Sequence, residues 1–184
     1  MRKITYKPCN FYCILGRSGA GKTTIIEKIN LNYGLSVLPS YTTRPKRHES
    51  DTDHTYIDEE TYDKLPNKVA TRTSKEGKYC ITLDQIEKYN ICVVDINGLK
   101  ELKENYKGLK KIIAIYIDIN MEESVNRMMW RGDNVNLIFN RAKREYLELQ
   151  SNDFKTHIDK IVNGYSTFTY CKVFDYIKRC EEWE

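Results

Sequence analysis

The chain has 184 residues, of which 40% are hydrophobic, 30% charged and 11% aromatic, and its formal net charge is +4. This length suggests one compact domain, and the hydrophobic content argues against disorder. The charge excess is too small to predict nucleic-acid binding, and no apolar run approaches the roughly 18 residues of a membrane span. Because no secretion signal is recognisable either, we expect a cytoplasmic protein with neither nucleic-acid nor membrane partners.

Short apolar runs alternate with amphipathic stretches along the chain. Strands are predicted at 11–15, 68–73, 78–82, 91–94, 112–117 and 160–162. Helices are predicted at 23–32, 58–65, 83–89, 99–106, 121–130, 137–150 and 166–179, with an irregular segment at 36–57 and a turn at 97–98. This alternation predicts an α/β fold with a mostly parallel sheet between helices, and ligands at the carboxyl ends of its strands. The three histidines lie in polar segments without ligand spacing, so we expect them at the surface.

The most specific motif follows the first predicted strand and matches G-x-x-x-x-G-K-[ST] in full. Glycines in such a loop let backbone N–H groups surround phosphate oxygens, and the helix N-terminus adds a favourable partial charge. Lys22 is expected to reach the terminal phosphates of a nucleoside triphosphate, and the Thr23 hydroxyl to ligate Mg²⁺. The predicted ATP-binding loop therefore consists of Gly16, Arg17, Ser18, Gly19, Ala20, Gly21, Lys22 and Thr23.

A second cluster, SYTTRPKR, occupies residues 40–47. Arg44 and Arg47 stand on a proline-containing segment from which both guanidinium groups can hold one phosphate. Taken alone, such a segment is more often a solvated basic loop. Downstream of GRSGAGKTT, however, S-x-T-T-R-x-x-R with Tyr56 nine residues after Arg47 resembles the guanylate kinase family.

The resemblance implies an acceptor site for GMP. It implies that the GMP base and phosphate are held by Ser40, Arg44, Arg47 and Tyr56. The segment GKYCIT at 77–82 resembles the family's G-N-Y-Y-G-S/T strand, which adds Tyr79 and Thr82 as candidates. Alignment on Gly77 places Thr71 where the family has a base-reading glutamate, so weaker discrimination between bases is expected.

Three further segments extend the resemblance. VVDING at 93–98 is similar to a shortened L-D-I-D-x-Q-G, which implies Asp95 or Asn97 at the acceptor base. Asp95 is also placed to hold Mg²⁺ or its water, with a helix N-cap or turn as the alternative role. DKIVN at 159–163 is similar to D-x-V-I-V-N, which implies that Asn163 lies near the adenine.

The third segment contains the arginines of the family's mobile lid. R-x3-R-G followed by a further arginine implies catalytic roles for Arg131 and Arg141. The alternative for Arg127, Arg141 and Arg144 is a charged helix surface with partners one turn away.

These observations lead to one expected organisation. Residues 1–184 form a single guanylate kinase-like domain, with a core at about 9–35 and 90–184, a monophosphate-binding segment at about 36–89 and a lid at about 127–145. We expect Mg²⁺-assisted, in-line phosphorylation of GMP or dGMP by ATP, with small-molecule nucleotides as partners and Lys22, Arg44, Arg131 and Arg141 as catalytic residues. Two alternatives remain: the same chemistry on another nucleoside monophosphate or a ribosyl bisphosphate, and a catalytically silent interaction module.

Overall fold

The computed structural model describes residues 7–46, 49, 51 and 53–183, so Arg47 of the predicted acceptor site lies outside the described residues. The strands are β1 (Phe11–Gly16), β2 (Ser40–Thr42), β3 (His54–Tyr56), β4 (Lys68–Ser74), β5 (Gly77–Thr82), β6 (Ile91–Val93), β7 (Ile112–Asp118) and β8 (Lys160–Asn163). The helices are α1 (Lys22–Tyr33), α2 (Glu59–Lys64), α3 (Leu83–Lys88), α4 (Ile96–Asn105), α5 (Met121–Trp130), α6 (Val135–Gln150), α7 (Asn152–His157) and α8 (Thr169–Cys180). Within these ranges no helix has the length and apolar character needed to cross a membrane.

The main sheet has the strand order β6-β1-β7-β8, and all its neighbours are parallel. Phe11, Tyr12, Cys13 and Ile14 of β1 are all completely buried. Alternate residues of β1 belong to different clusters, because successive side chains of a strand point to opposite faces. One cluster joins the sheet to α1 and α8, and the other joins it to α4 and the strands β4 and β5. Burial on both faces explains the continuous apolar runs, and the predicted fold class is confirmed.

A smaller sheet contains β2 to β5 in the order β3-β2-β5-β4. β2 pairs parallel with β3 and antiparallel with β5, and β4 pairs antiparallel with β5. The β4–β5 register shifts between Val69 and Arg72, and Ala70 has a positive φ of 51°. A bulge of this kind changes which side chains of a strand share a face.

Two sequence predictions need correction and one element was not predicted. Residues 36–57 are not wholly irregular, because they contain β2 and β3. The turn predicted at 97–98 is the first turn of α4, because Asp95 Oδ1 accepts a hydrogen bond from Gly98 N at 2.9 Å and caps the helix. The short helix α7, whose first turn is capped by Ser151, has no counterpart among the predicted elements.

Gly77 permits a close contact between β5 and the chain after β2. Its φ is +151°, and a Cβ at this position would lie 2.6 Å from Arg44 N and 2.9 Å from Arg44 Cα. The Gly77→Ala substitution should therefore lower the free energy of unfolding by about 3 kcal/mol. Gly132→Ala is the matched control, since Gly132 has a φ of +81° but no described atom within 4 Å of an added Cβ. Backbone strain alone should cost about 1 kcal/mol there.

Urea denaturation of both variants measures the difference. Equal destabilisation by the two substitutions would show that the contact with Arg44 contributes nothing.

Candidate active site

A cavity of about 1240 Å³ opens at the carboxyl ends of β1 and β6. Its walls include the residues that follow β1, the strands β4 and β5 of the small sheet, and helix α6. This is the edge at which open parallel sheets bind ligands. A smaller cavity of about 440 Å³ lies beside it, and its described lining contains five arginines: Arg72, Arg127, Arg131, Arg141 and Arg144.

The glycine-rich loop connects β1 to α1 and borders both cavities. Gly16 must lack a side chain, because a Cβ there would lie 2.6 Å from Ile117 O. Helix α5 supports the loop through a hydrogen bond from Ser124 Oγ to Ser18 O at 2.8 Å. Of the eight predicted loop residues, only Ala20 is outside the described cavity linings; it is buried beneath the loop. The structure thus brings the loop together as the motif predicts.

Lys22 is the first residue of α1 and lines both cavities. Its Nζ donates hydrogen bonds to Gly16 O at 2.8 Å and to Arg17 O at 2.9 Å. The pKa of Lys22 is lowered to about 8, mainly by burial and also by the nearby arginines of α6 and Arg131, against the opposing effect of Glu145. The ammonium group is therefore held by carbonyl groups of its own loop, in a strongly cationic environment.

Glu145 on α6 is a site residue that sequence reasoning missed. The residue is 7% exposed, and its Oε1 accepts hydrogen bonds from Ser18 N at 2.9 Å and Ser18 Oγ at 2.7 Å. Its Oε2 is buried without a hydrogen-bond partner among the described residues. The two residues are 127 positions apart, so no local pattern indicates their contact. Glu145 connects α6 directly to the glycine-rich loop.

Each arginine around the smaller cavity has a carboxylate partner. The predicted lid residues Arg131 and Arg141 share Asp133, with a distance of 3.1 Å from Arg141 Nη1 to Asp133 Oδ2. The other three pairs are Arg127 with Glu123 at 2.6 Å, Arg144 with Glu148 at 3.4 Å, and Arg72 with Asp95 at 3.9 Å. These acids reduce the repulsion between cations that stand at one end of the sheet.

The predicted acceptor-phosphate residues Arg44 and Tyr56 are together but do not line either cavity. Arg44 is 6% exposed, and its Nη2 donates to Asp51 Oδ2 at 3.0 Å and to Tyr56 OH at 2.9 Å. Burial, with a hydrogen bond to Asp51, raises the pKa of Tyr56 to about 12. The guanidinium group of Arg44 is thus engaged inside the small sheet in this structure.

Ser40 and Tyr79 of the small sheet do line the larger cavity. His54 lies between them: its Nδ1 is 2.7 Å from Ser40 Oγ, and its ring is edge-on to Tyr79 with centroids 5.6 Å apart. His54 is half-buried and also lines the cavity, a position more specific than the surface location expected from the sequence. This part of the wall offers a hydroxyl group and two aromatic rings.

Besides Ala20, Arg44 and Tyr56, four further predicted site residues lie outside the described linings of both cavities. Thr71 is turned outward, with its N donating to Glu101 Oε2 at 2.8 Å, and Arg72 faces the cavities instead. The bulge in β4 is the physical reason for this exchange. The other three have structural positions: Thr82 caps α3, Asn97 is exposed on the first turn of α4, and Asn163 is exposed at the end of β8.

Thr23 and Asp95, the predicted metal ligands, both line the larger cavity. Hydroxyl and carboxylate oxygens are donors that Mg²⁺ prefers. In the described part of the chain, no group of three or more His, Cys, Asp or Glu side chains could hold a metal ion. The donor set therefore fits a Mg²⁺ ion that takes most of its ligands from phosphates and water. Asp95 Oδ1 caps α4, which leaves Oδ2 for this role or for Arg72.

Comparison with solved structures identifies the fold of the chain. The chain is similar to the crystal structure of guanylate kinase from Anaplasma phagocytophilum, with a TM-score of 0.66 over 95% of this chain and 88% of that chain. The sequence identity is 18%. No family sequence model matches the chain, and no curated protein matches it either. The similarity establishes a guanylate kinase-like α/β fold.

The buried pair of Arg44 and Asp51 generates a stability prediction. Asp51→Asn should lower the free energy of unfolding by about 3 kcal/mol, because the buried guanidinium group loses its charged partner. The control is Glu60→Gln, which breaks an exposed pair with Lys64 and should change stability by about 0.5 kcal/mol or less. Chemical denaturation measures both values, and similar small effects would contradict a structural role for the buried pair.

Proposed function

We propose that this chain is a nucleoside-monophosphate kinase that transfers the γ-phosphoryl group of ATP to an acceptor monophosphate, with GMP or dGMP as the preferred acceptor. One observation carries the proposal: the glycine-rich loop and the polar residues of the small sheet open onto the same cavity. A donor on the loop and an acceptor on the small sheet would meet there, beside a cluster of arginines.

The chemistry needs positioning and charge stabilisation more than proton transfer. A monophosphate is largely dianionic near neutral pH, so no base has to deprotonate it. The bond from the γ-phosphorus to the bridging oxygen breaks as the acceptor oxygen bonds to that phosphorus, and ADP leaves. Because two polyanions repel each other, cations at fixed positions must offset the repulsion. Lys22, Arg131 and Arg141 would supply them at the smaller cavity.

Mg²⁺ would reduce the negative charge on the β- and γ-phosphates when it is bound with ATP. Thr23 would hold the ion through its hydroxyl group, and Asp95 would hold one of its water molecules. Both residues line the larger cavity: Thr23 from the first turn of α1, and Asp95 from the position just before α4. Glu145 would fix the loop on which Thr23 and Lys22 stand, through its two hydrogen bonds to Ser18.

We assign the acceptor phosphate to Arg44 and Arg47 on the resemblance of their segment to the guanylate kinases. Arg44 would reach that phosphate only after its contact with Asp51 opens. Ser40, Tyr79 and His54 form the part of the wall that would contact the base or sugar. The bound phosphate would then replace the carboxylate of Asp51 as the charged partner of the guanidinium group.

The same chemistry on a different acceptor is the second candidate function. Thr71, which aligns with the family's base-reading glutamate, does not reach the cavity, and the guanidinium group of Arg72 lines it instead. Guanine would therefore lack a carboxylate at this position of β4 to accept hydrogen bonds from its N1–H and N2–H groups. A phosphoryl acceptor with more negative charge and more hydrogen-bond-accepting oxygens, such as a ribosyl bisphosphate, would match the positive charge of Arg72 as well as a guanine nucleotide would.

The decisive experiment measures ADP release from ATP with a panel of acceptors: GMP, dGMP, AMP, UMP, CMP, dTMP and a ribosyl bisphosphate. We expect the highest kcat/KM for GMP or dGMP. A preference of tenfold or more for another acceptor, about 1.4 kcal/mol, would refute the guanine assignment and retain the kinase class. Absence of turnover with every acceptor would refute the kinase class and favour an interaction module.

Lys22→Ala should lower kcat at least about 100-fold, because the loop loses its charge at the phosphates. Lys88→Ala, which removes an exposed lysine on α3, should leave kcat unchanged. Steady-state kinetics of the two variants, with circular dichroism as a check on folding, measure the effect. A folded Lys22→Ala protein with normal kcat would remove the loop from the mechanism.

The lowered pKa of Lys22 predicts a pH dependence of ATP binding. The pKa is about 8 in the free protein, and phosphates next to the ammonium group would raise it. Binding should therefore take up protons at about pH 8 and above, and affinity should fall about tenfold between pH 7 and pH 9. In Lys22→Arg the guanidinium group stays charged, so this proton uptake should disappear.

Titration calorimetry in buffers of different ionisation enthalpy measures the proton uptake. Equal uptake by the wild type and Lys22→Arg at pH 8.5 would assign the titration to another group.

A further inference from the structure

Arg72 is a cavity-lining cation to which neither the loop motif nor the family resemblance assigns a role. It lies on β4, its side chain is 41% exposed, and it borders both cavities. The other arginines of the smaller cavity come from α5, α6 and the residue that follows α5. Arg72 is thus the arginine that the small sheet contributes to this cluster.

The bulge in β4 determines where Arg72 points. Ala70 has a positive φ of 51° and lies against α4, where a Cβ added to Gly98 would be 3.0 Å from Ala70 Cβ. Thr71 is then held on the outer side by Glu101. Regular pairing resumes at Arg72, which is opposite Tyr79 of β5. Two strand residues that face the larger cavity, Arg72 and Tyr79, are therefore cross-strand neighbours.

Asp95 is the charged partner of Arg72 and is itself anchored. Asp95 Oδ1 accepts the N–H of Gly98, and Oδ2 lies 3.9 Å from Arg72 Nη1. Both side chains are partly exposed, so the ion pair is weak and leaves other guanidinium donors available. Such a group can bind two phosphate oxygens at once while the carboxylate limits its orientation.

We propose that Arg72 contacts the phosphoryl group while it is transferred, and that Asp95 is a positioning residue for Arg72. The proposal rests on the kinase activity proposed above. Arg72 shares the smaller cavity with Lys22, Thr23 and the lid arginines, which places it at the phosphate end of the site. Arg72 would bind equatorial oxygens from the small-sheet side as the donor bond breaks and the acceptor bond forms. No proton transfer is required of it.

The test compares Arg72→Gln and Arg72→Lys with Arg179→Gln, which removes an arginine of α8 whose Nε donates to Asp175 O. kcat and KM are measured for ATP and for the two best acceptors of the wild type. Arg72→Gln should lower kcat about 100-fold or more, by a similar factor for both acceptors, with KM for ATP changed less than about threefold. Arg72→Lys should recover part of the loss, and Arg179→Gln should match the wild type.

Asp95→Asn tests the positioning role, since asparagine can still cap α4. Its loss of kcat should be clearly larger in the wild-type background than in the Arg72→Gln background, where only the contact of Asp95 with the Mg²⁺ water remains to be lost, because residues that act as a unit are not additive. Equal effects in both backgrounds would show that Asp95 acts independently of Arg72, and would overturn the positioning role.

Several results would overturn the contact of Arg72 with the phosphoryl group. Normal kcat in a folded Arg72→Gln protein refutes it while leaving the kinase function intact. A loss that differs tenfold or more between the two acceptors indicates that Arg72 recognises the base instead. If the wild type phosphorylates no acceptor, the proposed function itself fails, and this inference fails with it.

Discussion

The concentration of positive charge at the end of β1 is the constraint on which the rest of the site depends. Lys22 and the five arginines of the described lining surround a cavity of about 440 Å³. Their mutual repulsion is reduced by acids on the same or neighbouring elements, such as Asp133 between Arg131 and Arg141. Most of these pairs are partly exposed and therefore weak. Phosphate oxygens can replace such carboxylates without a large cost in broken contacts.

Glu145 differs from the other acids because it is buried and binds the loop itself. Through Ser18 it holds α6, which also carries Arg141 and Arg144, against the loop that carries Lys22. The loop and α6 are consequently in direct contact in this structure. Glu145 Oε2 is buried without a hydrogen-bond partner among the described residues, and the charge of Glu145 opposes the lowering of the Lys22 pKa.

Patterns of neighbouring residues predicted those strands and helices whose formation depends on neighbouring residues. β1 and β7 are buried on both faces and read as apolar runs, and the loop motif specifies its own strand, turn and helix. The N-terminus of α4 was missed because the Asp95 cap overrides the turn tendency of Asn97 and Gly98. Two contacts, of Glu145 with Ser18 and of Arg44 with Asp51, form only when the folded chain brings these side chains together. The spacing of residues in the sequence therefore does not predict them.

The exchange of Thr71 for Arg72 shows how a single backbone irregularity changes the chemistry of a site. In a regular strand alternate residues share a face, so Thr71 would share the face of Val69. The bulge inserts a residue, so the faces exchange beyond it, and a neutral hydroxyl is replaced at the cavity by a guanidinium group. In the proposed function, base recognition would then depend on fewer predicted contacts, Ser40 and Tyr79, whereas phosphate recognition would gain one. The residues present accordingly support the proposed phosphate chemistry better than they support the identity of the acceptor base.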